Sequence, residues 1–171
     1  MEDIILENMI LENKEEYERF IKDISVYAVR VEFTILAKDK TPNYRFLEFL
    51  EMSLSDPVDR THHKASKKKS IHGSMVYKMP YGDELHAPLL SFEFFFTLET
   101  KIIDENNNKR VIESRVIPTE FGFIDLSFYD ASNSRFVYSI THEGELVADV
   151  GKYPKFNKYV KKPDDRVLFV Y

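Results

Sequence analysis

The alternation of apolar and polar positions is strongest over Leu89–Leu98. There Leu90, Phe92, Phe94, Phe96 and Leu98 interleave with Ser91, Glu93, Phe95 and Thr97. A two-residue period puts successive side chains on opposite faces, so this pattern predicts a strand with one buried face. Comparable segments continue past residue 150: Lys109–Ile117, a stretch built on Ile124, Leu126 and Phe128, then Arg135–Thr141 with Phe136, Tyr138 and Ile140 alternating, and Glu145–Val150. Arg166–Tyr171 supplies a terminal strand. Turn-forming residues separate them: Glu105–Asn108, Pro118 with Gly122, Asp130–Asn133 and His142-Glu143-Gly144. Links this short between strands imply antiparallel neighbours.

The first half reads differently. Asn13 is a suitable cap, Glu16 completes a capping box, and Tyr17, Phe20, Ile21 and Ile24 form one apolar stripe, so Asn13–Ile24 is predicted helical. Ile4–Leu11 fits a short strand or a helical turn equally well. Val26–Ala37 is predicted as a strand with Tyr27, Val29, Val31, Phe33 and Ile35 sharing a face. Thr41-Pro42 opens a second helix whose stripe is Phe46, Leu47, Leu50 and Leu54 and which Pro57 ends. Asp56–Ser70 has no apolar period and reads as an exposed, mobile loop. Pro80–Asp83 has the composition of a turn.

These elements predict one α+β domain over residues 1–171: a strongly curved antiparallel meander with two helices, both from the N-terminal half, packed on one face. A sheet of about seven strands tends to curl, so a half-barrel or closed barrel is the alternative form.

Composition narrows the class. With 171 residues the chain is long enough to bury roughly two thirds of its unfolded surface. Its 14 Phe and 10 Tyr, without Trp, suit pleated, half-buried surfaces. Five Gly and seven Pro exclude a linker-rich chain. The absence of Cys points to a reducing compartment, and the acidic start Met1-Glu2-Asp3 lacks the basic flank of a signal peptide. No apolar run approaches the roughly 20 residues that span a bilayer. A cytoplasmic protein without membrane contact is expected.

The net charge of -5 opposes indiscriminate binding to nucleic acid, but the charge is unevenly placed. Residues 1–23 are acidic, whereas 60–78 and 151–166 are basic. In the first basic segment Arg60, His62, His63, Lys64, Lys67, Lys68 and Lys69, followed by Tyr77 and Tyr81, form a candidate surface for a protein partner of complementary charge. The plainer reading is a solvated loop. A metal site on His62, His63 and His72 with Asp56 and Asp59 is not expected, because adjacent histidines do not converge and the cations repel a metal ion. No cofactor is implied.

The second basic segment interleaves cations with rings. Lys152, Tyr153, Lys155, Phe156, Lys158 and Tyr159 are the alternative, nucleic-acid-contacting set, with lysines on phosphates and rings stacked on bases. The plainer reading packs the rings on the core and lets the lysines snorkel outward. Glu93, Glu99, Glu113, Asp125 and Asp149 fall on predicted polar faces. In a meander, Glu113 and Asp125 would lie close enough to share a proton or a Mg²⁺ ion and so serve a hydrolytic site. There is no nucleophile elbow, no Gly-rich phosphate loop, and His142-Glu143 is a turn rather than an acid–base pair. No catalytic residue is assigned.

The expected function is therefore a non-enzymatic protein-interaction module, of the kind that immunity proteins and phage-encoded inhibitors represent by size and composition. A genome rich in A and T, bacterial or phage, agrees with the abundant Lys, Ile, Asn and Phe. The alternatives are a ligand-binding or hydrolytic β-cup with carboxylates at its rim, and nucleic-acid binding through residues 60–69 and 152–162.

Overall fold

The computed structural model describes residues 3–11, 13–36, 44–55, 65–91, 97–105, 109–117, 124–140, 143, 145–160 and 167–170. Ten strands and three α-helices run in the order β1 (Leu6–Asn8), α1 (Lys14–Tyr27), β2 (Arg30–Ile35), α2 (Tyr44–Ser55), β3 (Ser66–Lys69), β4 (Met75–Pro80), α3 (Asp83–Ser91), β5 (Thr97–Glu105), β6 (Lys109–Ile117), β7 (Ile124–Tyr129), β8 (Arg135–Ile140), β9 (Glu145–Asp149) and β10 (Val167–Val170). A 3-10 helix, Pro154–Tyr159, precedes β10. The fold is α+β. Seven strands form an antiparallel sheet in the order β1-β9-β8-β7-β2-β4-β3, and β10-β6-β5 form a second, three-stranded antiparallel sheet.

The larger sheet has two edges, β1 and β3, so the closed barrel is not realised. Nor is it a simple meander. β2 sits at its centre between β4 and β7, with Phe33 opposite both Tyr77 and Leu126. Alternation along β2 and β7 buries Val31, Phe33, Ile124, Leu126 and Phe128 on one face, as their spacing predicts. The opposite face carries half-buried polar groups, among them Glu32, which accepts from the Tyr129 hydroxyl at 3.1 Å.

Helix α1 begins where its cap predicts, Asn13 Oδ1 accepting the Glu16 backbone N–H at 2.9 Å. It buries Tyr17, Phe20, Ile21 and Ile24. In α2, Phe46 and Leu50 are buried, and Phe46 meets Phe33 of the sheet edge-on at 5.1 Å. Both helices thus feed one core.

Four segments differ from the sequence reading. Val26 and Tyr27 belong to α1, and the strand starts only at Arg30, because the Tyr27 ring packs on Phe136, Tyr153 and Phe156 from the helix end. Leu89 and Leu90 close a third helix, α3, instead of opening a strand. Pro88 inside that helix disguises it, yet Leu85 and Leu89 lie one turn apart and are buried, and the Tyr17 hydroxyl donates to the Leu89 carbonyl, one of the terminal acceptors a helix cannot satisfy itself. Ser66–Lys69 is strand β3 rather than loop. In β8, a register shift at Phe128/Tyr129 moves burial onto Val137 and Ser139, leaving Tyr138 and Ile140 half-buried.

The ambiguous Ile4–Leu11 contains strand β1. Phe92, Phe94 and Phe96 lie outside the described residues, as do Thr41-Pro42 and Pro57. No helix among the described residues is long and apolar enough to cross a membrane. Because Phe20 is fully buried with Phe156 and Tyr159 edge-on against it, Phe20→Ala should destabilise the fold by about 3–5 kcal/mol, read from denaturant unfolding. A loss below about 1 kcal/mol would contradict this packing.

Candidate functional site

Strand β3 is Ser-Lys-Lys-Lys at the edge of the seven-stranded sheet, and all four residues are exposed. Its hairpin partner is β4, with Lys67 opposite Tyr77 and Lys69 opposite Met75. The link is a tight turn. Ser70 N–H donates to Ser74 O at 2.7 Å, Gly73 N–H donates to Ser70 O at 3.0 Å, and Gly73 has φ 85°. That angle is one glycine adopts without steric cost, which is why the three-residue loop closes here.

The ladder bond at Ser70 also sets the phase of the strand. In an antiparallel pair hydrogen-bonded and non-bonded residues alternate, so Lys68 and Ser66 bond to β4, while the N–H and C=O of Lys67 and Lys69 point outward. Among the described residues no strand pairs with that outer side.

Lys67 is braced from below. Its Nζ lies 2.5 Å from Glu51 Oε1 of α2, and the Tyr77 hydroxyl donates to the same oxygen at 2.5 Å. The ammonium also sits 5.3 Å from the centre of the Tyr77 ring. The Lys67 and Tyr77 donors hold the Glu51 carboxyl below its ordinary range, Glu51 raises the Lys67 ammonium, and burial with Glu51 beside it raises the Tyr77 hydroxyl. The triad ties the edge hairpin to α2. Lys68 and Lys69 have no ion-pair partner among the described residues.

Of the other residues singled out with them, Tyr81 is half-buried on the core, its ring 5.9 Å from Phe128 and its hydroxyl 2.8 Å from Ser25 Oγ. It does not join the lysines. Arg60, His62, His63 and Lys64 lie outside the described residues.

The second basic segment is built inward. Phe156 and Tyr159 are buried, and Tyr153 is half-buried 4.9 Å from Phe136 and 4.5 Å from Tyr27, so these rings pack against the core. The lysines are held by two carboxylates. Lys155 and Lys158 reach Asp23 at 2.9 and 2.7 Å, and the Tyr159 hydroxyl donates to Asp23 Oδ2 at 2.7 Å. Lys152 reaches Asp130 at 2.7 Å, where the Tyr153 hydroxyl donates at 2.6 Å. Asp130 Oδ1 also accepts the Ser132 and Ser134 backbone N–H groups. Asp149 likewise accepts backbone N–H groups from Ile5 and Gly151.

Burial alone would raise the Asp23 and Asp130 carboxyls. Their donors outweigh it: Lys158, Tyr159 and Lys155 hold Asp23 low, and Lys152, Tyr153 and the two serines hold Asp130 far below the carboxylate range. Burial and the facing carboxylates push the Tyr153 and Tyr159 hydroxyls upward.

The hydrolytic pairing of Glu113 with Asp125 has no basis in strand pairing. Glu113 faces Lys101 and Val167 within the three-stranded sheet, whereas Asp125 faces Thr34 in the larger one, because β7 pairs with β2 and not with β6. Glu99 faces Arg115, and Glu93 lies outside the described residues. No group of three or more His, Asp or Glu among the described residues is placed to hold a metal ion.

Three residues central to these clusters, Glu51, Asp23 and Asp130, are not among the candidates the sequence suggests. Asp130 carries a legible signal, since Asp in an Asp-Ala-Ser-Asn turn commonly accepts the backbone N–H groups that follow it. Asp23 sits beside the apolar stripe of α1, which is an unusual place for an acid. Glu51 carries none. Comparison of the chain with family models, curated proteins and solved structures finds no match.

The carboxylate anchors make stability depend on acid. Both carboxyls are lowered from an ordinary value of 3.8, so their contribution is present above that value and is lost as pH falls through the folded-state values. Unfolding free energy should therefore decline below about pH 4, and Asp130→Asn should flatten that decline while lowering stability at neutral pH. An acid limb identical in the variant would show that Asp130 is not one of its sources.

Proposed function

We propose that the chain is a non-enzymatic protein-binding module of the inhibitor or immunity type, docking through its lysine edge on an acidic face of a partner protein. The observation that carries this reading is the contrast between the two basic segments. In residues 152–158 the lysines are engaged by buried carboxylates of the same chain. On β3, Lys68 and Lys69 project from a strand held rigid by Glu51 and Tyr77 and are open to solvent. Exposed charge on a fixed scaffold steers encounter with a complementary surface and fixes its orientation. The cysteine-free composition suits a cytoplasmic setting.

The reading is tested in two steps. The tagged chain should recover a protein near one-to-one from its native lysate after nuclease treatment. Reversing Lys68 and Lys69 together to Glu should leave unfolding within about 0.5 kcal/mol of the parent, because both side chains are exposed, yet slow association with that protein by about tenfold or more at low salt. The difference should shrink as salt rises. Equal association rates at every salt concentration would reject the lysine edge as the docking surface.

A further inference from the structure

We infer that the outer edge of β3 binds an acidic, extended segment of the partner protein as an added β-strand. This rests on the docking reading above and names the chemistry of the ligand. Two independent features of the edge specify it. The outward N–H and C=O groups of Lys67 and Lys69 present two donors and two acceptors at the spacing of a sheet ladder, which an extended segment satisfies. The side chains then select the sequence. Lys68 lies on the opposite face of the strand from Lys67 and Lys69, so an incoming strand meets a cation on each of its own faces.

Charge also decides against a second copy of this chain pairing through the same edge. Two β3 strands side by side would bring lysines opposite lysines, the arrangement that keeps sheet edges from associating with themselves. An acidic strand removes that repulsion and converts a protected edge into a selective one. The brace from Glu51 and Tyr77 fixes the hairpin before binding, so little order has to be imposed on the receptor side.

The phase of the ladder supplies the test. At Lys69 the backbone N–H faces away from β4, so proline there removes a donor only from the outer side and is tolerated on an edge strand. The probe is a capped peptide of alternating Glu and Val, titrated into the isotopically labelled full chain. Lys67 and Lys69 amide signals should shift and exchange more slowly with solvent, and Lys69→Pro should weaken binding about tenfold or more beyond Lys69→Gln, which removes the same charge but keeps the N–H. Circular dichroism and the remaining amide signals establish that both variants fold.

Equal weakening by Lys69→Pro and Lys69→Gln, or a bound peptide that leaves the Lys67 and Lys69 amides unchanged, would overturn strand addition. If the recovered partner then still loses association on reversal of Lys68 and Lys69, the docking reading stands without it. A single-stranded oligonucleotide that binds the edge in place of the peptide, insensitive to Lys69→Pro, would also overturn it.

Discussion

Helix α1 is joined to the seven-stranded sheet through a seam of aromatic rings clamped by two acids. Phe20 and Tyr27 of α1, Phe136 of β8, and Tyr153, Phe156 and Tyr159 around the 3-10 helix touch ring to ring. Such rings supply much of the apolar area a core of this size buries. What orients them is the pair Asp23 and Asp130, each accepting a Tyr hydroxyl and at least one Lys ammonium at its margin. Removing either acid would leave a Tyr hydroxyl beside the core without its acceptor, a cost larger than the bond itself is worth. The clamp therefore determines where the C-terminal segment can lie.

That constraint has a functional consequence. A chain with a net charge of -5 and two basic segments could present either of them to a partner. The clamp engages one internally, since Lys152, Lys155 and Lys158 neutralise the acids that orient the seam. The other is carried on a sheet edge where the register of the hairpin, set by Gly73 and Ser70, decides which main-chain groups face outward. Among the described residues, the outer side of β3 is unpaired by another strand, and Lys68 and Lys69 on it have no ion-pair partner. The strand is tied to the same core through Glu51 and Tyr77, so its position follows from the packing of α2.

Local pattern was a good guide where burial is one-sided and pairing is by hairpin. The stripe of α1, its Asn13 cap, and the alternation of Ile124, Leu126 and Phe128 follow from spacing alone, because each face of those elements has one fate, and the strand at Lys109–Ile117 also forms where the sequence places it. Where the spacing misled, a distant contact had overridden it. Leu90 falls in phase with Phe92, Phe94 and Phe96, yet it lies in α3, whose Leu85 and Leu89 are buried and whose Leu89 carbonyl accepts from Tyr17 of α1. The shift in β8 comes from a bulge against β7 that no single segment records. Strand order is of the same kind: placing β2 between β4 and β7 breaks the expected meander and carries Asp125 away from Glu113.

By itself the sequence determined the α+β class, the antiparallel pairing, and the buried stripes of α1, β2 and β7. These follow from hydrophobic period and turn chemistry, which are local properties of a chain. Only the tertiary structure decided which lysines are paired with acids of the same chain. Both segments are rich in lysine, but Asp23 and Asp130 are brought beneath Lys152, Lys155 and Lys158, whereas in the other segment Glu51 pairs with Lys67 and leaves Lys68 and Lys69 without an ion-pair partner among the described residues. Ion pairing across that many residues depends on the packing of α1 and the 3-10 helix, and no window along the chain contains both partners.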